Sequence, residues 1–587
     1  MSDNKEESTA RPTTGIQTEE SLPNSAVEID ALIQWHYDQI SILKAKRNAL
    51  APIRRLPNEL MTRIITIYAS ESDLFKLRWT NIMFVCQHWH ALILAAQPLW
   101  AYIDLGLSEG NLSLTRLFAQ IKRSGVAPLT IKTTLFEEFY IDCILDNSAR
   151  IQELVVDGLA KCVFALVAKL PESSLPILAS LSLNASGSDD DVPDDLGRSL
   201  PETLLEGRLP NLRELNLECV TLPWSLVSGL TVMSLTQCPN SSSSQTFPDL
   251  LDMLRSCPDL HILKLELVCP TPNPDDSYAV VDLPALNWLQ LRDPADVCEA
   301  LLKHLRIPSH TAIHLLPDGL RTASDIRDIL IPLRKHTRAP GAPTPVMLKI
   351  DRPPAYCMLS FLKTTTLPAP LDDSDNKTDV TLSLNCHPSS EAMLPQMLTQ
   401  ILNAVPCEGI THLYGRMGYN AGVETWRSLL ALVPSIDHIY LRLNTGAVNC
   451  IEALRAQLAE AAAADNPHSR ASRHIRLLHI QVFRMDAGDT TLVDLLTALE
   501  GYLDELRRRR DAVSNDAFEG PEWNLEFDDA RYVLAGPHEE RLKRFFALMK
   551  GDILWNREIY DPVERQKQLE RIEADRQALF AEYNIEI

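Results

Sequence analysis

Glycine is scarce in this sequence, 21 of 587 residues against 38 prolines. That balance disfavours phosphate-cradling loops and favours many interrupted elements. No Walker A loop, G-x-S-x-G elbow or GxGxxG occurs, so no motif points to nucleotide binding or to an elbow-type nucleophile. The 12 cysteines include no CxxC pair, which leaves a zinc ribbon and a thioredoxin-like redox pair without support. No apolar run approaches the roughly eighteen residues of a membrane span, and residues 1–28 carry no apolar segment of the signal-peptide kind. Positive charge is also short: 56 Lys and Arg against 78 Asp and Glu give a net charge of −22. A general nucleic-acid or anionic-membrane binder would be basic, so neither partner is expected. The expectation is an intracellular protein, cytoplasmic and/or nuclear, with reduced thiols. The Asn111-Leu-Ser113 and Asn184-Ala-Ser186 matches are then not glycosylated.

What is present is an ordinary globular composition, 45% apolar and 23% charged, long enough for several domains or one repeat array. Residues 1–28, rich in Ser, Thr, Glu and Pro, read as disordered. In 29–51, Ile33, His36, Ile40, Leu43, Arg47 and Leu50 recur at alternating spacings of three and four. This predicts an amphipathic helix leaning on the next domain, with a dimerising coil as the alternative.

Residues 52–105 carry the densest signal. Pro57 suits the first turn of a helix, and Leu60, Ile64, Ile67 and Tyr68 then form an apolar stripe. A short helix is expected at Asp73–Leu77 and a third from Thr80 to Ala96, stopped by Pro98. Three short helices expose more apolar surface than they bury among themselves, so the segment calls for a partner. Pro52-Ile53, Leu56-Pro57-Asn58-Glu59-Leu60, Ile64-Ile65, Val85-Cys86, Trp89 and Leu99-Trp100 resemble the F-box motif in order and spacing, and the lead-in helix resembles the fungal type. Asn58-Glu59-Leu60-Met61 and Gln87-His88 depart from the commoner F-box residues but leave the apolar positions intact. The resemblance implies binding to the Skp adaptor subunit, and through it to cullin. The residues it implicates are Ile53, Leu56, Pro57, Leu60, Ile64, Ile65, Val85, Cys86, Trp89, Leu99 and Trp100.

Downstream, a strand-like phrase repeats with apolar residues at its first, fourth and sixth places. It reads Ile151/Leu154/Val156, Leu178/Leu181/Leu183, Leu212/Leu215/Leu217, Leu230/Met233/Leu235, Leu260/Leu263/Leu265 and Leu286/Leu289/Leu291, then Ile436/Ile439/Leu441 and Ile475/Leu478/Ile480. From 151 to 286 the phrase advances by 27, 34, 18, 30 and 26 residues. It resembles a leucine-rich repeat, whose units run about 20–29 residues with Asn or Cys in the ninth place. Cys238 and Asn444 fill that place, Val220, Val268 and Pro294 replace it, and Cys219 and Cys269 fall one residue away. The rhythm weakens between 305 and 435, where Val346–Ile350 and Val380–Leu384 remain strand-like, and residues 490–587 read as helical: Leu492–Arg510, Glu539–Lys550 and Val563–Tyr583.

The other constellations read as structural. Cys86, His88 and His90 sit on a helix, where a two-residue step turns by about 200°. His310 and His314 have the spacing for chelation on a helix but lack HExxH. Asp189–Asp195 fails the calcium-loop pattern, and Arg507–Arg510 ends a helix, where cations suit the dipole, with nuclear import or phosphate recognition as the alternative. No metal, cofactor or catalytic residue is expected. The fold class is therefore α/β: a three-helix F-box, then an irregular leucine-rich-repeat-like solenoid with a helical C-terminal cap. The segments are 1–28, disordered; 29–51, helix; 52–105, F-box; 106–489, solenoid; and 490–587, cap. The function expected is substrate recognition for a Skp–cullin–F-box ubiquitin ligase, with an unidentified target protein on the repeats. The alternatives are a scaffold outside a ligase and a hydrolase hidden in the repeats.

Overall fold

The computed structural model describes residues 25–105, 114–135, 139–170, 175–186, 199–205, 209–237, 245–273, 277–352, 356–365, 379–388, 393–417, 421–442, 444–463, 475–483, 491–513, 522–528, 553–555 and 558–559. Most of the expected disordered N-terminus, the Asp189–Asp195 cluster and the helices expected at Glu539–Lys550 and Val563–Tyr583 lie outside them. The protein is mixed α/β, with a large and mostly parallel sheet. It divides into two compact units, one of Met1–Leu135 with Asp142–Val155 and the other of Phe136–Ile141 with Val156–Ile587.

The first unit begins with α1 (Ala26–Ala49), α2 (Asn58–Glu71) and α3 (Gln87–Ala95), followed by β1 (Tyr102–Asp104), α4 (Leu114–Ser124) and β2 (Leu129–Leu135). β1 and β2 pair in parallel, with Ile103 opposite Ile131. The chain continues through α5 (Phe139–Asp146) and β3 (Ile151–Leu159). None of the residues of α1 is buried, so the expected packing of this helix on the next domain is limited to its last turns, where Lys44, Ala45 and Asn48 border a shallow cleft with Val85–His88.

In the second unit, α6 (Ala160–Lys169) leads to β4 (Ser180–Ser186), α7 (Glu202–Leu205), β5 (Glu214–Glu218), β6 (Val232–Thr236), α8 (Phe247–Arg255), β7 (Ile262–Glu266), β8 (Val281–Asp282) and β9 (Trp288–Arg292). Then come α9 (Ala295–His304), β10 (Leu305–Arg306), β11 (Ala312–Leu315), α10 (Ala323–Thr337), β12 (Met347–Arg352), β13 (Cys357–Leu362), β14 (Val380–Cys386) and α11 (Leu394–Ala404). β15 (His412–Met417), α12 (Val423–Leu432), β16 (His438–Arg442), α13 (Thr445–Ala463), β17 (Leu477–Phe483), α14 (Thr491–Val513), β18 (Glu522–Asp528), β19 (Ile553–Trp555) and β20 (Glu558–Ile559) complete it.

Strands β4, β5, β6, β7, β9 and β11 pair in parallel, each with the next. The repeated phrase sets their register. Leu181, Leu215, Met233, Leu263, Leu289 and Ile313 lie directly opposite one another, as do Leu183, Leu217, Leu235, Leu265, Leu291 and Leu315. All are buried, while the alternate residues are half-exposed or exposed on β5, β6, β7 and β9. A one-residue slip would turn every leucine to the other face, so burial of one face locks the pairing. Helices α9 to α14 pack one against the next in chain order. Two helices carry capping boxes that sequence reading did not single out, Thr246 with Asp249 and Thr322 with Asp325.

The same backbone devices recur from strand to strand. The N–H groups of the two residues at a strand's entrance converge on one carbonyl of the preceding strand, as with Arg213 and Glu214 on Ala179 and His261 and Ile262 on Thr231. At the exits of β5, β6 and β7, Cys219, Gln237 and Leu267 adopt left-handed φ values of 59°, 46° and 55°. Their N–H groups donate to Thr236, Glu266 and Arg292 of the following strands, at 3.0, 2.7 and 2.6 Å. Val220 and Val268, in the ninth place where Asn or Cys is usual, are buried apolar residues instead.

The weak stretch between 305 and 435 contains a change of direction. β12, β13 and β14 form an antiparallel meander inserted between β11 and β15, with β14 beside β11 and β12 beside β15. Parallel pairing resumes from β15 through β16 and β17 to β18. His314 lies in β11, so the pair His310 and His314 does not share a helix. After residue 490, α14 matches the expected helix, but β18, β19 and β20 follow, and parallel pairing continues from β17 through β18 to β19 in the segment read as mainly helical.

The phrase is also disguised at β15, which reads Ile410/Leu413/Gly415. A β-carbon on Gly415 would lie 2.9 Å from both Leu441 Cδ2 and Trp426 Cη2. The buried Trp426 ring occupies the space that the sixth residue fills elsewhere. Gly415→Leu is expected to cost about 1–3 kcal/mol by overpacking, measured by urea unfolding. At the end of β9, burial pushes the Asp293 carboxyl up to about 6; its Oδ1 accepts from Cys269 N–H and its Oδ2 has no partner. The folded protein therefore holds this proton above the pH at which the unfolded chain releases it, and stability falls as pH rises through 3.8 to about 6. Asp293→Asn is expected to raise stability at pH 8 by on the order of 2 kcal/mol, with the gain vanishing near pH 4 in a pH series of thermal melts.

Candidate functional site

Between residues 52 and 105 the structure closes a small core of its own. It contains Ile65, Ala69, Trp79, Ile93, Ala96, Leu99 and Trp100. The two indoles meet edge to face, with centroids 5.2 Å apart. Each indole N–H is satisfied within the segment, Trp79 by the Leu74 carbonyl at 3.2 Å and Trp100 by the Ile93 carbonyl at 2.9 Å. An aromatic pair with both polar handles bonded is an effective core for so short a segment. The Arg123 guanidinium of α4 lies 4.6 Å from the Trp100 ring centroid, and the Gln120 amide donates to the Tyr102 carbonyl.

Local sequence chemistry explains how the core is assembled. Helix α2 carries two apolar stripes: Met61, Ile65 and Ala69 are buried, while Leu60, Ile64, Ile67 and Tyr68 are exposed. The stripe read from the sequence is thus the outer one. The short helix expected at Asp73–Leu77 is a 3₁₀ turn over Leu74–Lys76, capped by Asp73 Oδ1, which accepts from Phe75 N–H. The long helix expected from Thr80 to Ala96 is split into a 3₁₀ stretch, Arg78–Phe84, and α3. Cys86 between them is fully extended, at φ −163° and ψ 163°. Trp79 on one side of the break and Ile93 on the other enter one core, while Phe84 and Val85 beside it are exposed.

The expected adaptor-binding residues therefore divide into two groups. Ile65, Leu99 and Trp100 belong to the segment's own core and are not available to a partner. Ile53, Pro57, Leu60, Ile64 and Val85 are exposed, and Leu56, Cys86 and Trp89 are half-buried. Phe84, at 87% the most exposed of them, was not singled out from the sequence although it adjoins Val85. Exposed apolar side chains continue along α1 with Ile33, Trp35, Ile40 and Leu43. In the second unit the large apolar residues on the surface, among those described, are Leu267, Val280 and Ile331. Apolar surface concentrated in this way makes the segment the candidate interaction site.

On the second unit, the open sheet face of β15 to β17 carries His412, Tyr414, His438, Tyr440 and His479. None was singled out from the sequence, because the residues that meet come from separate repeats. Arg508 of the Arg507–Arg510 run pairs with Glu505 within α14. Among the described residues no helix is long and apolar enough to cross a membrane. No family model matches the chain, and no curated protein matches it.

Substitutions should separate core from surface. Trp79→Ala is expected to destabilise by about 3–5 kcal/mol, whereas Phe84→Ser should stay within about 0.5 kcal/mol of the parent. Urea unfolding followed by tryptophan fluorescence measures both.

Proposed function

We propose that this chain is an F-box substrate receptor, binding the Skp adaptor through residues 52–105 and, through the adaptor, cullin. The observation that carries this reading is the exposure of Ile53, Leu60, Ile64 and Val85 on a segment whose core is already complete without them. These are positions that the F-box resemblance assigns to the adaptor. Side chains of this kind dominate interfaces once seated in a partner's pockets, and covering the exposed half of each is worth about 1 kcal/mol. The remaining strands form an irregular leucine-rich-repeat-like solenoid. In support, one face of its parallel sheet remains open, whereas parallel sheets elsewhere are covered on both faces. An open, extended face of stacked repeats suits protein binding. The target protein sits there, and its lysines are held near a ubiquitin carrier brought by the other subunits. The chain contributes proximity rather than chemistry.

Co-expression with the Skp adaptor tests the reading. The wild-type chain is expected to co-purify with the adaptor and with cullin. A Leu60→Ser/Ile64→Ser/Val85→Ser variant should lose both while keeping the parent's melting behaviour, because all three side chains lie outside the core. A soluble, monodisperse wild type that ignores the adaptor overturns the proposal. Adaptor capture without cullin would instead make the chain a scaffold outside a ligase.

A further inference from the structure

Strands β15 and β16 pair in parallel so that His412 and His438 are direct register partners. Their imidazole rings stack with centroids 4.3 Å apart and planes 7° from parallel. Asp437, immediately before β16, places Oδ1 2.6 Å from His438 Nδ1. One donor atom from each of the three residues lies within 4.8 Å of the other two. Among the described residues, this is the group of three His, Cys, Asp or Glu side chains that gathers so closely.

We propose that His412, Asp437 and His438 form a binding site for one divalent transition-metal ion, zinc being the best match. Two imidazoles and a carboxylate are a donor set that suits zinc, with metal–ligand distances near 2.0–2.2 Å and a fourth position left for solvent or a partner group. The surroundings favour this arrangement. Arg476 Nε lies 3.4 Å from Asp437 Oδ2, so the far oxygen is held and the near one faces the imidazole. Thr411 Oγ1 lies 2.8 Å from His412 Nδ1 and fixes that ring, an orienting contact typical of metal-bound histidine. The Tyr440 ring stacks on His412 from the next register position, 6.2 Å away. The three ligands are half-buried, which leaves the ion a route in. On binding, Asp437 Oδ1 and His438 Nδ1 move apart from 2.6 Å to admit the ion, and one imidazole turns out of the parallel stack so that both in-plane lone pairs reach it. A proton held between the two residues is released to solvent, so no oxidant or co-reactant is needed. The site does not depend on the F-box reading, since it lies wholly within the second unit.

Full-length protein, stripped with a chelator, is titrated calorimetrically with Zn²⁺ and, in parallel, with Co²⁺ to record its visible absorption bands. One saturable equivalent is expected, accompanied by a rise in melting temperature. His412→Ala and His438→Ala should each weaken that equivalent on the order of 100-fold, at or beyond the loss seen for removal of an orienting contact. The isosteric His412→Asn and His438→Gln variants, with metal-free melts matching wild type, separate ligand loss from misfolding. Titrations of wild type and the His412→Asn/His438→Gln double variant that coincide would overturn the proposal.

Discussion

The second unit depends on one constraint, the in-register stacking of apolar side chains from strand to strand. Leu181, Leu215, Met233, Leu263, Leu289 and Ile313 form one continuous row, and the residues two places on form a second. No single phrase buries its own leucines, so each strand is stable because its neighbours are present. The strand-entry carbonyls and the left-handed exits at Cys219, Gln237 and Leu267 follow from the same constraint. A backbone that must rejoin the sheet in register at each repeat enters and leaves it in the same way each time. A left-handed residue without glycine costs about 1–2 kcal/mol, and the hydrogen bond each one donates to the next strand offsets part of that cost.

The first unit solves a different problem. A segment of some fifty residues has little surface to bury, and it concentrates what it has around two tryptophans. The cost is a helix with apolar residues on both faces. Met61, Ile65 and Ala69 complete the core, and Leu60, Ile64 and Ile67 are left to water. Without a partner this arrangement invites aggregation; with one it is an interface already formed. The break at Cys86 lies within the same segment: Trp79 before it and Ile93 after it share the core, while Phe84 and Val85 beside it are exposed.

The open sheet face brings residues from distant parts of the chain into chemical contact. His412 and Asp437–His438 belong to successive strands, and each histidine stands one place before the buried fourth residue of its phrase, Leu413 or Ile439. Residues one place apart along a strand point to opposite faces, so leucines facing the core force the histidines to face outward together. The ladder that stabilises the fold thus also assembles the candidate metal ligands.

The period-two leucine phrase was legible in the sequence because inward-facing positions cannot tolerate charge, and all eight phrases read from it are buried. Of Cys86-x-His88-x-His90, read as helical, His88 and His90 lie in α3, but Cys86 is extended and stands outside it. The phrase at β15 was missed because another residue, Trp426, supplies the volume that Gly415 lacks. The meander of β12, β13 and β14 was also hidden, because apolar alternation is the same whichever way a strand runs. Which stripe of α2 is core depended on where Trp79 and Trp100 sit, a fact of tertiary packing that helical periodicity does not contain. The sequence by itself determined the spacing of buried residues, since burial is a property of each position. Only the tertiary structure decided which exposed residues meet, since that depends on the pairing of strands far apart in the chain.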